Sequence, residues 1–301
     1  MAPLDVIPPA LPTDDLPVVR LLRVEDLRDA LRKGLEDFWA IPTHVVFLCL
    51  LYPIVGLLLF RMTFVYDLLP LLYPLAAGFA LLGPFTAIGL YEISRRRELG
   101  LDTSWMHAFD ILHSPSLLPI VALGGVLLVI FGTWIAVANA IYVANFGDQP
   151  LTSLVAFARQ VITTPEGSQL IIIGNTVGFV FALLTATVSV ISFPLLLDRN
   201  VGLGTAVLTS VKVVLKNPVV MGTWFFIVAG GLLIGSLPLL VGLAVVLPVL
   251  GHSTWHLYRK AVEPDLRPRP EYHPRQKGKR YAADFPISLF IRSNNKDDPS
   301  P

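Results

Sequence analysis

The sequence predicts an all-α, polytopic membrane protein with six transmembrane helices arranged as three hairpins. Hydrophobic residues make up 54% of the 301 residues and charged residues only 15%, whereas soluble domains carry about 25% charged residues. Long uncharged runs also alternate with short segments that hold nearly all of the charges. A mean hydropathy of +0.66 agrees with membrane-spanning helices.

The lysine and arginine residues predict how these helices are oriented. With six spans, the segments on one side of the membrane carry 21 of the 23 basic residues and those on the other side carry 2. Because basic residues are retained on the cytoplasmic side, both termini are expected in the cytoplasm. The connections at 92–115 and 198–218 are expected on the same side.

The two ends of the chain differ in composition from its middle. Residues 1–22 are predicted to form a disordered tail, since proline and acidic residues dominate their first part. No basic region followed by an apolar core is present, so no cleavable signal peptide is expected. The membrane domain is therefore placed at 23–260.

Residues 261–301 are polar and rich in proline, and they are predicted to be mostly disordered. A basic cluster in this tail is a candidate contact for anionic lipid headgroups. Alternatively, it is a soluble tail that only fixes the topology. The cluster consists of Arg275, Lys277, Lys279 and Arg280.

An amphipathic helix is predicted just after the N-terminal tail. Apolar residues recur there at steps of three and four positions, with charged residues between them, and the pattern stops near Pro42. The helix is too short to span a bilayer, so it is expected to lie along the membrane surface. Its apolar positions are Val24, Leu27, Leu31, Leu35 and Phe38.

Apolar segments at 44–60, 68–91, 117–141 and 170–197 are the first four predicted spans. An amphipathic piece at 151–162 is expected on the outer face. The last apolar run, 219–258, would measure about 60 Å as one helix, twice the ~30 Å hydrocarbon core. It is therefore expected to fold back at 235–238, which gives spans five and six.

Spans two and six share a pattern of two prolines, a glycine and a basic end. Shifted by 164 positions, the first pattern falls on the second, and Glu92 falls on His256. A wider repeat consists of three copies of one unit. Each unit is a surface helix, a break at a proline (Pro42, Pro115 or Pro218) and a membrane hairpin. It suggests three units around an axis along the membrane normal. The alternative is that helices entering a membrane commonly follow a proline and apolar neighbours.

Four segments carry a family resemblance: YPLAAGFALLGPFTAIGLYEISRRRELG, FPLLLDRNVG, NPVVMGTW and GLAVVLPVLGHSTWHLYRK. Over roughly residues 25–262 the chain resembles a bacterial inner-membrane family, the domain-of-unknown-function 2189 family. The resemblance implies a location in a bacterial inner membrane, six spans and no known activity. Some members carry an automatic label of cytochrome c oxidase subunit I. The six histidines here do not support that label, because only His44, His252 and His256 lie at or near a span.

A candidate polar cluster is predicted where spans two and six reach the cytoplasm. It comprises Glu92, Arg95, His252, His256 and Arg259. The repeat predicts that Glu92 meets a cation or imidazole of span six, His256 above all. The alternative is that Glu92 pairs only with arginines on its own helix.

His252 and His256 share one helix face, a spacing that suits a metal or a haem. No matching set of further ligands accompanies them in the sequence, so hydrogen bonds to neighbouring helices are the favoured interpretation. No cofactor and no catalytic residue are predicted. No nucleic-acid partner is expected either, and the bilayer is the expected partner.

Three functions are compatible with these observations. The first is a non-enzymatic structural or accessory component of the membrane. The second is a transporter or channel for a small or lipidic solute, and the third is a redox accessory protein that uses His252 and His256. No predicted span has an ionisable residue at its middle, which disfavours a proton-coupled pump.

Overall fold

The computed structural model describes residues 16–41, 87–104, 114–147, 154–237 and 241–265, together with residues 61, 74, 75, 83 and 107. In these ranges the secondary structure is helical except for one isolated bridge, so the predicted all-α class is confirmed for them. The helices are α1 (Val24–Ala40), α2 (Ile88–Glu98), α3 (Leu117–Phe146), α4 (Leu154–Thr163), α5 (Pro165–Ser189), α6 (Ser192–Asp198), α7 (Leu203–Lys216), α8 (Pro218–Ser236) and α9 (Leu243–Ala261).

Three of the described segments are long and apolar enough to cross a membrane: Leu117–Phe146, Pro165–Asp198 and Pro218–Ser236. They correspond to the third, fourth and fifth predicted spans. The first predicted span and most of the second lie outside the described residues. Helix α9 coincides with the sixth predicted span, but its second half is polar. The six-span hairpin arrangement therefore belongs to the proposal below.

Proline and turn residues set the starts of the long helices. Pro115 lies in a turn directly before α3, and Pro218 is the first residue of α8, which follows α7. Thr164 caps α5 by accepting a hydrogen bond from the Gly167 amide. The break between α7 and α8 thus lies at the predicted proline. The predicted middle surface helix lies almost entirely outside the described residues.

The last apolar run is divided where the sequence places the fold-back. Helix α8 ends at Ser236 and α9 begins at Leu243. Gly235 and Gly242 bring the two backbones together, since a Cβ on Gly242 would lie 2.8 Å from the Cα of Gly235. Only residues without side chains permit this approach.

The apolar core lies around α6, which follows α5 after a two-residue break. Phe193, Leu195 and Leu196 are fully buried, and they join a cluster that includes Trp224 and Trp255. This short helix is therefore buried among the longer helices. It also lies next to the polar groups described below.

Residues 16–22 differ from the predicted disordered tail. The Arg20 amide donates to the Ala261 carbonyl at 2.8 Å, and Val19 pairs with Val262 in an antiparallel bridge. Asn217 accepts from the Leu22 amide at 2.7 Å. This part of the tail is ordered because it pairs with the chain just after α9, a partner that local composition does not reveal.

Helix α1 has the predicted bounds, but its buried face agrees with the predicted stripe only in part. Leu27 and Phe38 of that stripe are buried together with Ala30, Gly34 and Asp37, whereas Val24 and Leu35 are exposed. The reason is the close packing of α1 on α9. A Cβ on Gly34 would lie 2.0 Å from Ser253 Oγ, so the two helices approach closely where α1 has a residue without a side chain.

Candidate functional site

A buried network of charged and polar side chains lies where α1, α2, α6 and α9 meet. We call it the polar layer. Helix α2 supplies half of it through the sequence E-I-S-R-R-R-E at 92–98. Helix α9 passes close by, because a Cβ on Gly251 would lie 2.5 Å from Leu90 Cδ1. The layer comprises Asp37, Glu92, Ser94, Arg95, Arg96, Arg97, Glu98, Asp198, His252, His256, Tyr258 and Arg259.

Asp37 is the centre of one half of this layer. Its Oδ2 accepts hydrogen bonds from Ser94 Oγ at 2.6 Å and from His256 Nε2 at 2.9 Å, and its Oδ1 pairs with Arg97. Three helices, α1, α2 and α9, therefore meet on one carboxylate. The carboxylate is buried, so removing it would leave its partners without their acceptor.

His252 extends the chain of hydrogen bonds from Asp37. Its Nδ1 lies 2.7 Å from Ser94 Oγ, and the ring also hydrogen-bonds the backbone of Leu90. Ser94 has a single hydroxyl proton, which it donates to Asp37. Ser94 Oγ must therefore accept from His252 Nδ1–H. The two bonds run in one direction, from imidazole to hydroxyl to carboxylate, an arrangement in which each bond strengthens the next.

The opposing effects on Asp37 lower its pKa overall. Burial raises the pKa of Asp37. Hydrogen bonds from His256 and Ser94, the charge of His256 and the hydrogen bond from Arg97 lower the pKa, and together they outweigh burial. The pKa of Asp37 consequently lies below its usual range. This carboxylate is ionised at neutral pH and holds its donors as a charged acceptor.

Glu92 is buried, but it does not reach His256 as the repeat predicts. Among the described residues its ion-pair partners are Arg96, at 2.9 Å, and Arg95, at 3.4 Å, on the same helix. His256 instead pairs with Asp37. The predicted pairing is wrong because two arginines one turn away satisfy Glu92 locally, and α1 brings a different carboxylate to His256.

Asp198 is the centre of the other half of the layer. Its Oδ2 accepts from Tyr258 Oη at 2.7 Å and lies 3.5 Å from Arg259. Arg95 approaches its Oδ1 at 3.9 Å. Arg259 also donates to Glu98 at 3.1 Å, so acidic and basic groups alternate from α2 through the end of α6 to α9. Alternation of this kind offsets the cost of burying each charge.

A more exposed set of pairs borders the layer. Lys260 Nζ lies 2.8 Å from Asp29 and 3.3 Å from Asp26. The hydrogen bond from Lys260 lowers the pKa of Asp29, and the same bond raises the pKa of Lys260. These pairs reinforce the contact between α1 and α9 from the solvent side.

All five residues of the predicted cluster lie in this layer, but the sequence missed its two central carboxylates. Asp37 sits in a helix whose other acidic residues are exposed or half-buried, and Asp198 sits at the end of a predicted span, so both resemble solvated surface groups. The available signal for Asp37 was its spacing. It lies three residues after Gly34 and seven after Ala30, in phase with the closely packed face.

The two histidines of the layer are engaged in hydrogen bonds to other helices. Within the described ranges no group of three or more histidine, cysteine, aspartate or glutamate side chains has the geometry of a metal site. His252 Nδ1 and His256 Nε2 are already engaged by Ser94 and Asp37. The two imidazoles therefore act as hydrogen-bonding groups between helices, the favoured interpretation of their spacing.

Residues 72–198 match the model of a family described as "Predicted integral membrane protein (DUF2189)". Over this segment the family resemblance drawn from the sequence motifs is confirmed. The match includes α2, α3, α5 and α6, and thus Glu92, Ser94 and Asp198 of the polar layer. Comparisons with curated proteins and with solved structures gave no match.

Proposed function

We propose that this protein is a non-enzymatic, multi-pass component of a bacterial inner membrane with a structural or accessory role. In this proposal six transmembrane helices form three hairpins, each preceded by a cytoplasmic amphipathic helix, and both termini lie in the cytoplasm. In this arrangement the polar layer lies at the cytoplasmic side, and its hydrogen bonds and ion pairs hold the helices together.

The observation that carries the proposal is the burial of the hydroxyl and imidazole at the centre of the polar layer. Ser94 and His252 are both 0% exposed, and a catalytic group has to reach its substrate. The order of the groups also differs from a nucleophilic triad, where the imidazole lies between hydroxyl and carboxylate. Here the Ser94 hydroxyl lies between His252 and Asp37, so it holds two groups together.

The membrane orientation rests on charge and on the exposed face of α1. Leu35 and Trp39 are exposed at 44% and 77%, on a helix that also exposes Arg28 and Arg32. An apolar stripe flanked by arginines suits the headgroup region of the bilayer. The basic cluster in the C-terminal tail lies outside the described residues. Its contact with anionic lipids remains part of this proposal.

A fluorophosphonate probe, which labels activated serine hydroxyls, tests the non-enzymatic role. Purified protein in mild detergent is expected to remain unlabelled, and Ser94→Ala is expected to lower the unfolding midpoint. The matched control is Ser168→Ala, since Ser168 is exposed on α5 and its loss is expected to leave the midpoint unchanged. Labelling of the parent protein that disappears only in Ser94→Ala would contradict the proposal.

A second candidate function is transport of a small or lipidic solute. The observation that favours it is an apolar cavity of about 350 Å³ between α3, α4 and α5. Reconstituted vesicles containing a fluorescent phospholipid and an external quencher would measure transfer between leaflets. Transfer faster than in protein-free vesicles supports transport, whereas an equal rate leaves the structural role as the better account.

A further inference from the structure

The cavity between α3, α4 and α5 has an apolar lining. Most of the described residues that line it are aliphatic or aromatic, and none of them is charged. Aromatic side chains form one wall, where the ring centroids of Tyr142 and Phe157 lie 5.9 Å apart. The Trp134 indole N–H donates to the Pro74 carbonyl at 3.0 Å, so the ring faces the space with its polar atom already engaged.

The cavity lining includes exposed residues of α5. Ile171 and Asn175 lie one turn apart at its edge and are both exposed. The neighbouring Ile172 is 67% exposed. Helices α3 and α5 are both long and apolar enough to span a bilayer, and α4 covers the cavity through Phe157 and Val161. A bilayer around these helices would therefore supply the nearest molecules to the opening.

We propose that this cavity holds one acyl chain of a bilayer phospholipid. An apolar cavity excludes water and accepts apolar guests, which favours hydrocarbon over an ion or a sugar. Its volume of about 350 Å³ is near the lower end of ligand pockets, roughly 300–1,000 Å³, so it suits one chain and not a whole lipid. This inference rests on the proposed membrane crossing of α3 and α5, but not on the role of the polar layer.

Gly174 offers a way to fill the cavity. It belongs to the lining, and a Cβ built on it meets no atom within 4 Å. Gly174→Leu therefore places its side chain into open space. Gly132 on α3 is the matched control, because a Cβ there also meets no atom within 4 Å and the residue is outside the lining.

Native mass spectrometry would measure the fraction of protein that carries dioleoylphosphatidylglycerol after delipidation and titration. We expect the parent protein and Gly132→Leu to bind one lipid each, and Gly174→Leu to lose at least tenfold in lipid affinity. Equal affinity in both variants would overturn the inference. Binding of free oleate in place of the phospholipid would also overturn it.

Fluorescence gives a second readout that does not depend on the glycine variant folding. Phospholipids brominated along the acyl chain should quench Trp134, one of five tryptophans in the chain. Trp134→Phe should remove the most strongly quenched component, and no change in quenching would contradict the inference. Recovery of each variant in the membrane fraction tests the membrane crossing separately.

Discussion

Removal of the charge on Asp37 tests the polar layer most sharply. Asp37→Asn keeps the shape of the side chain but replaces the ionised acceptor that joins His256, Ser94 and Arg97. Hydrogen bonds to a charged group contribute about 1.5–3 kcal/mol each, and breaking a buried pair costs about 3–5 kcal/mol. Since Arg97 is 39% exposed and can turn to water, we expect a loss of about 3 kcal/mol in the free energy of unfolding.

The assay is thermal unfolding in mild detergent, with Glu36→Gln as the matched control. Glu36 is the neighbouring residue of α1, and its partner Arg32 is exposed, so its loss is expected to leave the midpoint unchanged. A midpoint drop of roughly 6–12 °C is expected for Asp37→Asn, at about 2–4 °C per kcal/mol. Equal midpoints for the two variants would refute the reasoning.

The dependence on pH follows from the lowered pKa of Asp37. A carboxylate whose pKa is lower in the folded state stabilises the fold above its unfolded pKa, about 3.9. That contribution is lost as the pH falls through the folded value. The stability difference between the parent protein and Asp37→Asn should therefore shrink as the pH falls below about 3.9. A difference that keeps growing below that pH would contradict the assignment.

Two further changes test the packing and the second half of the layer. Gly34→Ala places a Cβ 2.0 Å from Ser253 Oγ and should cost about 1–3 kcal/mol through overpacking. Gly204→Ala, which meets no atom within 4 Å, should be neutral or stabilising, and similar losses for both would contradict the close contact. Tyr258→Phe removes the 2.7 Å hydrogen bond to Asp198 and should cost about 1–3 kcal/mol. An unchanged midpoint would show that this bond contributes little.

The sequence was informative where local rules decide the structure. The three- and four-residue period of α1, the proline before α8 and the excessive length of the last apolar run each depend on neighbouring residues alone. The corresponding helix bounds agree with the prediction. The burial of a polar side chain is different, because it depends on which distant helix covers it.

The candidate site shows this limit in particular residues. Glu92 and His256 were found because polar groups near the end of an apolar span stand out. Their pairing was mispredicted, because the 164-residue repeat aligns positions along the two helices and says nothing about α1. Asp37 reaches His256 across 219 positions, a contact created by the packing of Gly34 on Ser253. No local pattern contains that contact.

Cysteine labelling tests the central claim, a sealed polar layer on the cytoplasmic side, most directly. In a Cys49→Ser background, Ser94→Cys is compared with Ser168→Cys on the predicted outer side and Glu263→Cys on the predicted inner side. Both control positions are exposed, whereas Ser94 is fully buried.

Right-side-out and inverted membrane vesicles are treated with a membrane-impermeant maleimide. The account predicts that Ser168→Cys is labelled only in right-side-out vesicles and Glu263→Cys only in inverted ones. Ser94→Cys should be labelled in neither until the protein is unfolded. Labelling of Ser94→Cys in folded membranes at the rate of Glu263→Cys would contradict the sealed layer, and exchanged sidedness of the controls would contradict its cytoplasmic position.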